Sequence, residues 1–408
     1  MASRVSFAKS ATVRIRSCPS NKIRGSDMAD SAMVDIEGEV APGFEAVRDA
    51  FASNFIKGGD VGASFAIWKD GEYLVDLWGG HTDAARSKAW QRDTLPNVWS
   101  TTKAVAALCL ARLVERGELS YDDPIIKHWP EFGAHGKDRL TVGQAISHQA
   151  GLSTLREPLT EENLYDHDDM AARMAAAEPL WEPGTRSGYH ALTYAFITGE
   201  LVKRITGKTI GRFFRDEIAA PWEIDFYIGL PESEEGRIAE MIAAPNAQPL
   251  DAANLNEVQK LTFANPSPSA TAPNSRAWRK AEISSANGRG SASALAKLFG
   301  AVAAGGALNG TSLVSRETLA KLSAEQISNE DLVLGLQGSW GAGVLRNVGG
   351  LLYGPNEATI GHSGWGGSFV LCDPVAGVGI SYVMNQMGPD LAGDPRAMGL
   401  LAAAYEAL

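Results

Sequence analysis

Ser100-Thr101-Thr102-Lys103 opens a run of apolar residues that reads as a buried helix. Positions i and i+3 share one helical face, so the lysine amine can approach the serine hydroxyl. At a helix N-terminus, partial positive charge favours a developing alkoxide and disfavours an ammonium. Nucleophilic acyl transfer is the chemistry such a pair can perform. The same spacing also suits a serine that merely caps a helix. A second S-x-x-K, Ser6-Phe7-Ala8-Lys9, lies in a basic leader with no buried helix behind it. Context separates the two.

Two further stretches hold candidate groups. Tyr189 follows the turn-forming Trp181-Glu182-Pro183-Gly184 and precedes a helix expected to begin at Tyr189 or His190 and to run to 205, stopped by Gly207. It reads either as an amphipathic packing residue or as a phenol that shares its proton with Ser100 and Lys103. Gly361-His362-Ser363-Gly364-Trp365-Gly366-Gly367 lies between two expected strands. Its glycines would let the backbone approach a ligand, although a glycine-rich hairpin can also exist without function.

Competing chemistries lack their residues. There is no G-x-S-x-G elbow, no H-E-x-x-H, no phosphate loop and no dinucleotide fingerprint. No cofactor or metal is therefore expected. Asp166-His167-Asp168-Asp169 has metal-ligand types but reads more simply as a solvated acidic turn. His148 reads as a helix-end residue and His190 as a neighbour of Tyr189, without the partners of a Ser-His-Asp triad.

The elements that would position these groups follow from periodicity. Folding signals begin near Pro42, and Phe44, Val47, Phe51 and Phe55 give a helix over 43–54. Strands over 62–68 and 72–78 flank Lys69-Asp70-Gly71, a hairpin signal. The nearly all-apolar helix over 100–116 ends at Gly117. Thr141-x-x-Gln144 is a capping box that starts a short helix to 148. Residues 231–290 read as loops and short helices, 291–304 as a helix, and 341–346, 358–362, 368–373 and 377–385 as strands. A closing helix covers 395–408. Strands at both ends with helices between them imply a discontinuous α/β domain, 28–116 with 290–408, and an inserted mainly helical domain, 117–289.

Composition narrows the partners. The 408 residues are 45% hydrophobic and 21% charged with a net charge of −11, which leaves no basic footprint for nucleic acid or an anionic membrane. No apolar run is long enough for a membrane span. Residues 1–27 hold Arg4, Lys9, Arg14, Arg16, Lys22 and Arg24, with Asp27 the first acid. This leader, expected to be disordered, resembles a transit peptide in composition but lacks the apolar region of a secretory signal. Cys18, Cys109 and Cys372 form neither a disulfide framework nor a zinc site, and a cytoplasmic location is the default.

Taken in order, these motifs resemble the serine β-lactamase and penicillin-binding protein superfamily, and most closely its class C-like family VIII carboxylesterases. The resemblance runs from about Phe44 to Tyr405 and includes Asp76-Leu77-Trp78-Gly79-Gly80, Ser147-His148-Gln149-Ala150-Gly151-Leu152 and Tyr189-His190-Ala191-Leu192-Thr193-Tyr194. It implies an antiparallel sheet flanked by helices, with Ser100 as nucleophile and Lys103 and Tyr189 as the base pair. It also implies an oxyanion hole made by the N–H groups of Ser100 and Trp365. His362-Ser363-Gly364 would stand in place of K-T-G and, with Trp365, bind substrate. Class C enzymes carry Y-x-N where this chain has Tyr189-His190-Ala191, and a lysine where it has His362. Both departures favour small uncharged esters over anionic lactams. The resemblance also allows a β-lactamase, a D-peptidase, an acyltransferase or a catalytically idle binding protein, although retention of Ser100, Lys103 and Tyr189 argues against idleness.

Overall fold

The computed structural model describes residues 34–245, 252–391 and 393–408. The basic leader and Cys18 lie outside these residues.

A nine-stranded antiparallel sheet dominates. In chain order its strands are β1 (Ile36–Val40), β2 (Gly62–Lys69), β3 (Glu72–Gly80), β4 (Ile327–Glu330), β5 (Gln337–Trp340), β6 (Leu345–Arg346), β7 (Ile360–Ser363), β8 (Phe369–Asp373) and β9 (Val378–Met384). Their order across the sheet is β1-β3-β2-β9-β8-β7-β6-β5-β4. The β2–β3 turn forms as expected, with Asp70 and Gly71 at φ of +50° and +94°, the left-handed geometry that a tight hairpin demands.

Three strand expectations need correction. β1 precedes Pro42, where folding signals were expected to begin; it is a short edge strand whose two glutamates and glycine hide the alternation. The strand expected over 341–346 is confined to Leu345–Arg346, because Gly341 N–H donates to Val344 O at 2.9 Å and Gly343 takes a φ of +86°. The β4–β5 hairpin was not anticipated, since Ile327-Ser328-Asn329-Glu330 is polar and half exposed.

Helix α1 (Glu45–Ile56) packs against the C-terminal helix, here α6 (Pro395–Ala407). Helix α2 (Thr102–Glu115) is buried from Thr102 through Ala111 and again at Leu113, as its apolar composition predicts. Gly117, at φ +70°, closes it. Helix α3 (His167–Ala176) starts where a solvated acidic turn was expected; Asp166 caps it by accepting from Asp169 N–H. Helix α4 (Tyr194–Thr206) begins several residues later than predicted. The Tyr189 and His190 amides are instead held by Asp331 Oδ1 and His148 Nδ1, at 2.9 and 3.1 Å. Those bonds keep residue 189 in a loop, aimed by side chains rather than by helical geometry. The Thr141–Gln144 capping box forms in full.

Helix α5 (Ala292–Ala303), capped by Ser291, lies across β2, β8 and β9. The approach is close because two glycines face each other. A Cβ on Gly379 would sit 2.2 Å from Gly300 N and 2.3 Å from Ala296 O, both backbone atoms that cannot rotate away. Gly379→Ala is therefore expected to cost about 1–3 kcal/mol through overpacking, read as a lower urea midpoint at unchanged slope. Gly399→Ala, on α6 with open space around it, should leave stability equal or raise it by up to about 1 kcal/mol. Equal stability for both variants would show that the helix does not rest on the sheet this tightly.

Candidate active site

Ser100 sits in a single 3-10 turn, Trp99–Thr101, that leads into α2. Trp99 adopts a φ of +47°, a left-handed conformation unfavourable for a bulky residue. Its surroundings impose it. The Trp99 ring packs against Trp278 and Trp365 at centroid distances of 5.4 and 5.0 Å, and Thr102 Oγ1 donates to Trp99 O at 2.6 Å. Gly288 N–H in turn donates to Thr102 Oγ1 at 2.9 Å, and Val98 N–H to Gly288 O at 2.9 Å. The serine is partly exposed at the tip of this over-determined turn.

Lys103 is fully buried, and its Nζ stands 3.1 Å from Ser100 Oγ. The amine also donates to Ala191 O at 2.8 Å and Ser285 O at 2.9 Å. Burial alone pushes its pKa well below the ordinary lysine value. A neutral amine has two N–H bonds and one lone pair. In that form, with the two carbonyls taking the N–H bonds, the lone pair is left for the serine hydroxyl; an ammonium would instead donate to all three oxygens.

Tyr189 lies on the other side of this pair, 7% exposed, with its ring 4.7 Å from Lys103 Nζ and its hydroxyl hydrogen-bonded to Ser100. Burial raises its pKa above the ordinary phenol value even though the bond to Ser100 opposes the shift. Trp340 stacks on it at 5.8 Å, and His148 contacts it edge-on at 4.9 Å. His148, at φ +68°, lies in the wide turn after the capping box. His190 accepts from Leu152 N–H at 3.1 Å through Nε2. Burial drives His190 down to about 3 and His148 well below its ordinary value, so both stay neutral. They shape the walls around Tyr189 and form no Ser-His-Asp triad.

The strand β7 brings the glycine-rich segment alongside. His362 is 4% exposed, its ring centroid 6.0 Å from that of Tyr189. Burial lowers it to about 3, and its Nδ1 bonds Ser363 O at 2.8 Å. Strand alternation turns the next side chain away: Ser363 Oγ pairs with Tyr353 Oη at 3.0 Å. The Ser363 hydroxyl is thus not gathered with the others, contrary to the sequence expectation. Gly364 is required where it stands, because a Cβ there would lie 2.3 Å from Val98 O and 2.2 Å from Ser368 Oγ. Ser368 Oγ donates to Val98 O at 2.8 Å and pairs with Thr101 Oγ1 at 3.1 Å, stitching the segment to the serine turn. Gly364 N–H donates to Ser368 O and Gly366 N–H to Asp390 O, at 2.7 and 3.2 Å. Between them the Trp365 amide has no acceptor among the described residues.

Sequence reasoning missed Ser285 and Ser368 and gave no part to the Ala191 carbonyl or the Thr101 hydroxyl; Ala191 and Ser285 meet Lys103 through backbone carbonyls that any residue type supplies. Elsewhere, His167, Asp168 and Glu200 come together with metal-ligand spacing. Their carboxylates already face Lys203 and Arg204, a poor setting for a cation.

Comparison with known proteins agrees with this geometry. A sequence model of the β-lactamase family matches residues 48–403. The Mycobacterium tuberculosis protein "Esterase/beta-lactamase LipL" is 35% identical over 364 residues, 86% of this chain and 83% of its own length. A crystal structure of a family VIII carboxylesterase superposes with a TM-score of 0.87 at 44% identity, covering 91% of this chain and all (100%) of that one. A penicillin-binding protein homologue from Caulobacter crescentus gives 0.86 at 43% identity, covering 92% and 100%. With its family match spanning nearly the whole chain and its sheet, serine turn and lysine arranged as described, the chain belongs to the β-lactamase family.

Proposed function

We propose that this protein is a serine hydrolase that cleaves short, uncharged carboxylic esters through an acyl-enzyme on Ser100. The observation that carries the reading is the buried Lys103 amine, 3.1 Å from Ser100 Oγ with two carbonyls taking its N–H bonds. In the first step Ser100 Oγ attacks the ester carbonyl carbon as its proton passes to Lys103 Nζ. The tetrahedral oxyanion is met by the N–H groups of Ser100 and Trp365, an arrangement worth several kcal/mol. Collapse breaks the C–O bond to the alkoxy group, which takes a proton relayed through the Tyr189 hydroxyl, and the alcohol leaves. Water then attacks the acyl-enzyme by the same route in reverse, releasing the acid and restoring Ser100. Lys103 acts as the base in this scheme because burial favours its neutral form, whereas burial disfavours a tyrosinate.

The ester preference rests on His362 together with Ala191, where class C enzymes carry lysine and asparagine. A neutral imidazole offers no charge to a substrate carboxylate. A neighbour described as a family VIII carboxylesterase supports the ester reading. A β-lactamase activity is the second reading, favoured by the relative whose name joins esterase and β-lactamase. No helix among the described residues is long and apolar enough to cross a membrane. The free thiols Cys109 and Cys372, both buried, suit a reducing compartment such as the cytoplasm. The ligand inferred is a small ester, with no role for nucleic acid or a membrane surface.

Ser100→Ala is expected to abolish ester hydrolysis while leaving the fold intact, with Lys103→Ala nearly as costly because the pair acts as a unit. A fluorophosphonate adduct located by mass spectrometry should fall on Ser100; an adduct on another serine would end the proposal.

The pH dependence follows from the sign of the Lys103 shift. The base must be unprotonated, so kcat/KM falls as pH drops through the depressed lysine pKa and levels off at a pH well below that at which an ordinary lysine would lose its proton. A rate that kept climbing to pH 10 would mean that the amine is charged in the resting site.

Substrate preference tests the role of His362. An ion pair to a carboxylate in such a site is worth about 2 kcal/mol, roughly thirtyfold in rate. Nitrocefin should be turned over far less efficiently than a butyrate ester, and His362→Lys should raise lactam turnover. Equal efficiency on both substrates in the unaltered protein would refute the preference.

A further inference from the structure

Behind the glycine-rich segment lies a buried ion cluster that the hydrolytic scheme does not use. Arg396, 6% exposed, lies between two buried carboxylates. Nη1 donates to Asp60 Oδ1 at 2.7 Å, and Nε and Nη2 donate to Asp394 Oδ1 and Oδ2 at 3.0 and 2.7 Å. The Tyr382 hydroxyl donates to the second Asp60 oxygen at 2.6 Å. Burial lifts the Asp60 carboxyl to about 6 against the pull of Arg396 and Tyr382, so it is ionised at neutral pH.

Tying down the start of α6 would need only Asp394 and Asp60. The guanidinium does more. Nη2 also donates to Gly366 O at 2.8 Å, and Nη1 to Gln386 O at 2.8 Å. Gly366 follows Trp365 directly, and its carbonyl accepts a second bond from Gly388 N–H at 2.8 Å. The turn rests on the ion pair itself: a Cβ on Gly367 would start 2.8 Å from Asp394 Oδ2 and 3.1 Å from Arg396 Nη2. Gly367 takes a φ of +125°, so the segment has no intrinsic preference that would hold it there. The fork geometry of arginine lets one side chain join two carboxylates to two carbonyls, which an ammonium cannot do.

We propose that Arg396 is a positioning residue for ester hydrolysis: braced by Asp60 and Asp394, it holds the Gly366 carbonyl and so fixes the turn that presents the Trp365 amide to the oxyanion. This rests on the acyl-transfer reading above. An oxyanion donor contributes mainly in the transition state, so loosening it lowers kcat and leaves KM nearly unchanged. A displacement of about 1 Å costs on the order of 10²-fold.

The test compares the unaltered protein with Arg396→Lys and Asp60→Asn, measuring thermal unfolding, kcat and KM for a butyrate ester, and the rate of fluorophosphonate labelling at Ser100. Lysine keeps the charge between the carboxylates but loses the fork. The expected result is a folded Arg396→Lys protein with kcat and labelling rate down about 10- to 100-fold and KM within threefold. Asp60→Asn, which leaves Arg396 in place with one brace weakened, should show a smaller loss of the same kind. Folded Arg396→Lys protein with unaltered kcat would overturn the proposal, as would parallel losses in kcat and KM. If Arg396→Lys does not fold, Asp60→Asn decides by the same criterion. Failure of Ser100 to label in the unaltered protein would bring down the acyl-transfer reading itself, a result distinct from failure of the positioning role.

Discussion

Burial of the Lys103 amine without a carboxylate partner is the constraint on which the site depends. An ammonium in that position would carry a desolvation cost, and among the described residues no negative side chain opposes the lowering of its pKa. The neutral amine avoids that cost only if its two N–H bonds find acceptors. Ala191 and Ser285 supply them from segments 88 and 182 residues away along the chain. The segments that carry Ala191 and Ser285 therefore have to close over α2 before the lysine can take the part of base proposed for it. Folding and chemistry meet in one nitrogen atom.

The other half of the problem is aiming the serine and the donors proposed for the oxyanion. The strained Trp99 turn survives because rings, hydroxyls and backbone bonds converge on it from Trp278, Trp365, Thr102 and Gly288. The β7 end is pressed against that turn by the absence of a Cβ at Gly364 and by the Ser368 hydroxyl. Serine turn and glycine turn are thus built as one piece, one side coming from the helical core and the other from the sheet.

The parts of this arrangement that repeat locally were legible in the sequence. The apolar run behind Ser100, the Asp70-Gly71 hairpin, the Thr141 capping box and the C-terminal strands each carry a pattern within a dozen residues. The structure brings Ser100, Lys103, Tyr189 and His362, which the motifs single out, close to one another. What failed was structure set from a distance. The helix after Tyr189 starts at Tyr194 because Asp331, 142 residues downstream, takes the Tyr189 amide. The β4–β5 hairpin has no apolar alternation to announce it. Ser363 looks like its neighbours in sequence, yet the pleat turns it to Tyr353. The cluster of Asp60, Asp394 and Arg396 spans most of the chain and leaves no local trace, since a lone Asp and Arg read as surface residues until their burial is known.

Burial has a further consequence for what the site can accept. Lys103, His148, His190 and His362 all belong to types that carry positive charge, and burial pushes every one of them toward its neutral form. Around the nucleophile, then, the protein offers dipoles and lone pairs rather than fixed cations. Dipoles suffice for an oxyanion that appears only during the reaction, which is the part proposed for the N–H groups of Ser100 and Trp365. They do not suffice for a carboxylate that the substrate brings with it, whose loss of hydration would go uncompensated. A lysine at position 362 would answer that need, but it would stand close to Lys103 and drive that amine's pKa lower still, weakening it as a base. The imidazole keeps the pocket polar without adding that charge, so the step from lysine to histidine ties substrate selection and base strength to the same position.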